Sequence, residues 1–190
     1  MTKRLWLIGF AVALSFGSTA FAADHPIPGK IALVKYAKLG KFIAKSTTGF
    51  PLPLAGGPED PPTLNGAMIR FGDTAEPGDL TAGMSLLGPF AWKALGNPPG
   101  SKGYKYNDGP CKFLITAKVI KGKCSGPILS VTQAFPPVDG ALSVELAIPV
   151  LSAFDTPAIQ YCAAFGGTVL KSDIVTFKAK DAPAPGSCPP

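Results

Sequence analysis

The chain is poor in arginine and histidine, and each shortage excludes a class of function. Arg4 and Arg70 are its only arginines, and lysines supply the rest of the 18 positive charges behind a net charge of +6. Arginine is the usual residue for bidentate contacts to phosphates and bases, so we expect no nucleic-acid partner. His25 is the single histidine. The sequence therefore offers little for a catalytic base or for metal ligation.

Long apolar runs are also missing. The most apolar stretch, Leu5 to Phe16, follows Lys3 and Arg4 and precedes the small-residue segment Ala20-Phe21-Ala22. It is well short of the roughly 20 residues that a membrane-spanning helix needs. A positive start, a short apolar core and small residues before a cleavage point indicate a signal peptide over residues 1–22, and a retained anchor is the alternative. We therefore expect a secreted or periplasmic protein with no membrane span after cleavage.

Glycine and proline, in contrast, are abundant, with 22 and 21 copies. Proline ends helices and glycine weakens them, so this composition favours short strands joined by turns. Alternation of apolar and polar residues recurs over 30–45, 67–72, 104–106, 111–116, 119–124, 128–133 and 141–148. The pattern predicts an all-β fold, an antiparallel two-sheet β-sandwich, as a single domain over residues 23–190 with a Pro-rich C-terminal tail.

Two finer predictions concern the strands. Residues 30–45 are typical of two strands with a tight turn near Leu39-Gly40. The same segment resembles the hairpin at 112–123 in its lysine spacing. This internal similarity predicts two similar β-units packed face to face, and chance similarity is the alternative.

The four cysteines, Cys111, Cys124, Cys162 and Cys188, all lie in the second half of the chain. In an oxidising compartment an even number of cysteines usually forms disulfides. Of the three possible connectivities we favour Cys111–Cys124, across a hairpin that turns at residues 117–118, with Cys162–Cys188. The second bond would tie the tail to the domain.

We predict no cofactor and no metal site. Zinc would need close C-x-x-C pairs, and the chain has none. Two alternatives stay open: Cu(II) bound by Ala23-Asp24-His25 if cleavage falls directly before Ala23, and calcium bound by the acidic loop 73–79 together with the pair Glu59-Asp60.

We assign no catalytic residue. His25 lies beside a proline near the expected mature N-terminus, and there is no G-x-S-x-G motif. A glycosidase needs two neighbouring carboxyl groups. Of the acids only Glu145 lies in a convincing strand, and its place between Val144 and Leu146 predicts that it points to solvent.

Aromatic residues around a Gly/Pro-rich loop give the best candidate for ligand binding. Trp92, Tyr104 and Tyr106 flank this loop, and Asn97 lies within it. Flat rings beside amide groups are typical of sugar-binding β-sandwiches, so these four residues are our candidate ligand-binding site. The competing interpretation, which we favour, is that Trp92 anchors the core and that the tyrosines alternate in and out of an ordinary strand.

Four motifs carry a family resemblance: WKALGNPPGSKGYKYNDGPCK (92–112), the hairpin ending at Cys124, YCAAFGG (161–167) and FKAKDAPAPGSC (177–188). Together they resemble a recurrent group of secreted bacterial proteins with no known activity. The resemblance covers about residues 27–188 and implies export, one β-rich unit and the cysteine pattern. Ala164-Phe165 departs from the group, which often carries an acid there.

These observations predict an exported, non-enzymatic structural or binding module of the cell surface or extracellular space. Its expected partner is a polysaccharide or another surface protein. The mild positive charge is compatible with contact to anionic lipid or polysaccharide, or it simply keeps a secreted β-protein soluble. The alternative function is a hydrolase acting on extracellular polymers, which needs a cleft lined by two acids.

Overall fold

The computed structural model describes residues 23–35, 38–53, 61–73, 84–125, 142–150 and 153–188. The predicted signal peptide and the strand predicted at 128–133 lie outside these residues. One four-residue helix, α1 (Pro62–Asn65), and a 3-10 turn at Pro89–Ala91 interrupt an otherwise β structure. The described strands are β1 (Ala23–Pro26), β2 (Gly29–Lys35), β3 (Leu39–Lys45), β4 (Ala67–Asp73), β5 (Met84–Leu87), β6 (Trp92–Leu95), β7 (Gly103–Asp108), β8 (Cys111–Ile115), β9 (Val119–Ser125), β10 (Leu142–Val150), β11 (Ala153–Phe165), β12 (Thr168–Asp173) and β13 (Thr176–Ala182).

The strands form two sheets that pack against each other. The large sheet has eight strands in the order β12-β13-β2-β3-β9-β8-β7-β6, and the small sheet has five in the order β1-β11-β10-β4-β5. All neighbours are antiparallel except β1 and β11, which are parallel. The all-β, two-sheet prediction is confirmed.

One hydrophobic core lies between the sheets. Alternation along β3 turns Phe42 and Ala44 inward, and alternation along β4 turns Ile69 and Phe71 inward to meet them. The rings of Phe42 and Phe71 contact edge to face across the two sheets, with their centroids 6.4 Å apart. Burial of each such side chain contributes about 1.5–3 kcal/mol.

The first hairpin corrects one predicted boundary. β2 ends at Lys35 and β3 already begins at Leu39, so the turn precedes the predicted Leu39-Gly40 position. Gly40 instead lies at a buried inward position, opposite Val34 on one side and Cys124 on the other. The prediction placed the turn here because glycine is common in turns, but glycine also occurs at inward strand positions where only a small residue fits.

Gly122 serves a different packing need. It lies between Phe42 and Phe113 in one row of inward residues across β3, β9 and β8. A Cβ atom at this position would overlap both rings. The glycine therefore leaves the space that the two large side chains fill.

Both sheets combine strands from both halves of the chain. The two predicted β-units therefore do not correspond to the two sheets, because each sheet needs partners that lie far apart in sequence. The hairpins β2–β3 and β8–β9 are nevertheless neighbours through β3 and β9. Similarity between the two halves stays a prediction.

Both predicted disulfides are confirmed. Cys111 and Cys124 are directly opposite on β8 and β9, with their Cα atoms 4.1 Å apart. Cys162 of β11 bonds to Cys188 of the tail, with a Cα–Cα distance of 5.5 Å. Two disulfides indicate an oxidising environment outside the cytoplasm. Within the described part of the chain, no helix has the length and apolar character needed to cross a membrane.

Candidate functional site

The predicted aromatic residues are placed mainly in the core. Trp92, Tyr104 and Tyr106 are 5%, 1% and 4% exposed, whereas Asn97 is exposed in the turn after β6. Trp92 thus anchors the core as expected, whereas Tyr104 and Tyr106 both face inward rather than alternating, because residues two apart on a strand point to the same side. Because buried rings offer no open face for a sugar to stack on, we do not base the candidate site on these four residues.

Polar contacts explain how these rings are buried. The Tyr104 hydroxyl donates a hydrogen bond to the carbonyl of Pro53, and Trp92 Nε1 donates one to the carbonyl of Leu87 at 3.4 Å. Burial raises the pKa of the Tyr104 hydroxyl. Since a buried phenol or indole keeps a hydrogen-bond partner, the rings can add apolar contact to the core without leaving a polar group unsatisfied.

The outer face of the large sheet, the side away from the core, has a very different character. Residues directly opposite each other on neighbouring strands form two adjacent rows across this sheet. The first row consists of Lys171, Lys178, Leu33, Lys41, Lys123, Lys112 and Asn107. The second row consists of Thr168, Lys180, Ile31, Ile43, Lys121, Leu114, Lys105 and Lys93. We call these two rows the lysine face; they hold nine lysines and no acid.

The first row sets like charges directly against each other. Lys123 lies opposite Lys41 on one side and Lys112 on the other. Cβ atoms at such positions are about 4.5–5.5 Å apart, and like charges there are destabilising. Among the described residues, no carboxylate forms a salt bridge with any of these three lysines. These three lysines thus form a concentration of positive charge without a paired acid among the described residues, whereas Lys171 and Lys180 of the same face pair with Asp173 and Asp181.

Half-buried apolar residues support the lysine side chains. Ile43 and Leu114 alternate with the lysines in the second row, and both are only partly exposed. The methylene stems of lysines can lie along such residues while the ammonium groups remain in water. A broad depression of about 700 Å³ lies on this part of the sheet, and its lining includes Lys41, Lys112 and Lys123.

A second depression lies beside β1. It has a volume of about 450 Å³ and is formed by residues 24–28 and 45–51. Asp24 is its single carboxylate, and His25, Ser46 and Thr48 supply further polar groups. Neither this depression nor the one on the lysine face contains the pair of acids that a glycosidase needs.

Glu145 occupies the outer face of the small sheet but is only 7% exposed. Its predicted direction, away from the core, agrees with the alternation of β10, but its predicted exposure to solvent is wrong. Cys162 lies directly opposite it and carries the disulfide to Cys188, so the tail is held against this face. Coverage of a sheet face by a distant segment leaves no signal in the strand's own alternation.

Burial raises the pKa of Glu145, and the nearby Asp24 raises it further. The guanidinium of Arg70 opposes both effects, with Nη1 3.7 Å from the carboxylate. Glu145 and Arg70 are directly opposite on β10 and β4. The pair is therefore a partly buried ion pair within the small sheet, and no second carboxylate forms a salt bridge with Arg70 among the described residues.

Metal ligands are not assembled in the described ranges. No group of three or more His, Cys, Asp or Glu side chains there is placed to hold a metal ion. His25 lies in β1, with its ring 5.6 Å from the ring of Tyr161. Most of the acidic loop proposed as a calcium alternative lies outside the described residues.

The chain matches no family model, and searches of curated proteins and of solved structures find nothing similar to it. The resemblance to secreted bacterial proteins therefore stays a prediction.

Proposed function

We propose that the protein is an exported, non-enzymatic binding module whose lysine face binds an anionic polysaccharide at the cell surface or in the extracellular space. The observation that carries this proposal is the first row of the lysine face. Lys41, Lys123 and Lys112 follow one another on three neighbouring strands without a compensating acid among the described residues. An anionic polymer lying across the strands would relieve their mutual repulsion.

The use of lysine at these positions favours a polymer that is recognised by its charge density. A lysine ammonium is a compact point charge that does not select a planar, bidentate ligand as arginine does. The rows extend over many strands, so a long ligand can contact several lysines at once. We therefore expect recognition of regularly spaced carboxylates, with little dependence on the identity of each sugar ring.

The location rests on two observations. Both disulfides require an oxidising compartment, and residues 1–22 carry the pattern of a signal peptide. Cleavage after Ala22 would remove Lys3 and Arg4 and lower the net charge from +6 to +4. All the lysines of the lysine face would remain in the mature protein.

The test compares two triple variants of equal net charge. Lys41→Glu, Lys112→Glu and Lys123→Glu reverse the first row, whereas Lys38→Glu, Lys102→Glu and Lys118→Glu reverse lysines located in turns. Binding to polygalacturonate is measured by titration calorimetry at several salt concentrations, with neutral dextran as a reference polymer. We expect the first triple to lose binding, the second to retain it, and wild-type affinity to fall as salt screens the charges.

Three results would contradict the proposal. The first is equal binding by the two triples, and the second is equal binding of dextran and polygalacturonate. The third is a clear preference for vesicles of anionic lipid, or for a nucleic acid, over the polysaccharide at the same salt concentration. Far-UV circular dichroism of each triple checks that loss of binding does not follow from loss of the fold.

A further inference from the structure

Strand β12 is exposed on both of its faces. Val169 and Leu170 are 40% and 48% exposed, and Ile174 and Val175 in the following turn are 78% and 52% exposed. Large apolar side chains rarely gather at a surface that stays in water. Their concentration on one hairpin marks this edge of the large sheet as a contact surface.

The topology explains this exposure. β12 is the terminal strand of the large sheet and pairs with β13 on one side only. Nearly every residue of β12 is exposed, so the small sheet does not cover this strand. No described strand occupies its outer edge, and a free strand edge is a template for pairing with another strand.

The sequence of this edge is chemically symmetric. Residues 169–175 read Val-Leu-Lys-Ser-Asp-Ile-Val, with two apolar residues and one charge on each side of Ser172, and the two charges are opposite in sign. We propose that β12 pairs antiparallel with β12 of a second copy of this chain, about a two-fold axis at Ser172.

Antiparallel pairing in this register matches both the opposite charges and the apolar residues on each side of Ser172. Residues that face each other across an antiparallel pair lie on the same side of the sheet. Lys171 of each copy lies beside Asp173 of its partner, and the two-fold axis produces this ion pair twice. Beyond this short ladder, Ile174 in the turn of each copy comes next to Leu170 of its partner, so that exposed apolar side chains also meet. No other register about a two-fold axis matches both the charges and the apolar residues.

Asp173 is already arranged for this exchange. Its Oδ1 accepts hydrogen bonds from the backbone N–H groups of Val175 and Thr176, at 3.0 and 2.7 Å, which hold the turn. Its Oδ2 pairs with Lys171 of the same strand at 2.9 Å. In the dimer, Oδ2 pairs with Lys171 of the second copy instead of Lys171 of its own strand. Oδ1 keeps its hydrogen bonds to the turn that contains Ile174.

The dimer joins two lysine faces along one continuous sheet. Lys171 belongs to the first row of that face, so the rows of both copies meet near the two-fold axis. This pairing is independent of what the lysine face binds. Because only one short strand from each copy takes part, we expect a weak, reversible dimer.

A charge-swap experiment tests the pairing. Sedimentation equilibrium of the mature chain, over increasing concentration, should show dimer formation by the wild type. Lys171→Asp alone and Asp173→Lys alone should each remain monomeric, because each sets like charges opposite one another. An equimolar mixture of the two variants should recover association, since every facing pair then has opposite charges.

A second pair of variants tests the apolar contact. Ile174→Ser removes two symmetric contacts and should weaken dimerisation by roughly tenfold. Phe90→Ser is the matched control, because Phe90 is 101% exposed and lies beside β6 at the opposite edge of the large sheet. Its dimerisation should equal that of the wild type.

Several results would overturn the proposal: a wild type that stays monomeric at every concentration, equal effects of Ile174→Ser and Phe90→Ser, or a mixture that fails to associate. If Asp173→Lys disrupts the turn, Asp173→Asn decides the question, since asparagine keeps the oxygen that holds the turn and loses only the charge. Unchanged dimerisation of that variant would contradict the proposed ion pair.

Discussion

The outer faces of both sheets are formed by alternating strand residues, but the outer face of the large sheet is open to solvent and that of the small sheet is buried along β10. On the large sheet the outward positions of β9 are occupied by Lys121 and Lys123, and this face is open. On the small sheet the outward positions of β10 hold Ser143, Glu145 and Ala147, all of which are buried. Lysines at outward positions keep a face in water, because a covering segment would have to remove their charges from solvent. Small residues with one paired charge allow a face to be covered.

Removing the Cys162–Cys188 disulfide should have the largest effect on this contrast. Replacing both cysteines by serine releases the tail and should lower the free energy of unfolding by about 3 kcal/mol. Urea denaturation measures this loss, and amide exchange should accelerate in β10 and β11. The Cys111→Ser/Cys124→Ser pair is the control, because its exchange should accelerate in β8 and β9 instead. Unchanged exchange in β10 and β11 would show that the tail does not protect the covered face.

Breaking the ion pair on the covered face should have the next largest effect. Arg70→Met leaves the buried Glu145 carboxylate without its counter-charge, and we expect a loss of about 1–2 kcal/mol at neutral pH. The measurement is the urea midpoint at pH 7. Combining Arg70→Met with Glu145→Gln should recover part of the loss, since no buried charge then remains. Additive losses in the double variant would argue against coupling between the two residues.

The same carboxyl group should give the protein a specific pH dependence. Because burial raises the pKa of Glu145 above its ordinary value of 4.5, the folded protein binds this proton more tightly than the unfolded chain does. Stability should therefore rise as the pH falls from 7 toward 4.5, and it should be lost again as the pH is raised through the folded pKa. Thermal melts across this range test the sign, and Glu145→Gln should flatten the curve.

Two other carboxyl groups affect stability as well, but in a lower pH range. Hydrogen bonds from Lys171 and Lys30 lower the pKa of Asp173 and Asp181, respectively. Their contribution to stability is lost only as the pH falls below the ordinary value of 3.8. A melting temperature that falls steadily from pH 7 to pH 5 would contradict the assignment to Glu145.

The smallest effect is expected on the open face. Lys123→Gln relieves repulsion with Lys41 and Lys112, so it should stabilise the fold by a few tenths of a kcal/mol at low salt. The gain should shrink as salt is added. Lys102→Gln, at an exposed turn position, is the control and should change stability less. A destabilised Lys123→Gln variant would mean that packing of the lysine stem outweighs repulsion.

Local features of the sequence predicted the strands and the disulfides well. The Cys111–Cys124 bond followed from one hairpin, in which both partners and the turn lie within a few residues of each other. The burial of both Tyr104 and Tyr106 was harder to predict, because alternation groups the residues on one side of a strand but does not show which side faces the core. Lys105 between them was the available signal, since its charge belongs on the solvent side.

The lysine rows could not be read from the sequence, because they depend on register between distant strands. Lys41 and Lys123 meet only because β3 pairs with β9, and neither strand specifies the other. Burial of Glu145 likewise leaves no signal in the alternation of β10. Both features are products of tertiary contact, which single-strand patterns do not contain.

The junction between β3 and β9 also determines how the molecule must fold. The hairpins β2–β3, β8–β9 and β12–β13 join residues close in sequence, but β3–β9 and β13–β2 close large loops. Such closures slow folding, because chain entropy is lost before distant contacts compensate for it. We therefore expect the hairpins to form first and to dock later. The large sheet therefore closes last, because its locally formed units meet only through β13–β2 and β3–β9.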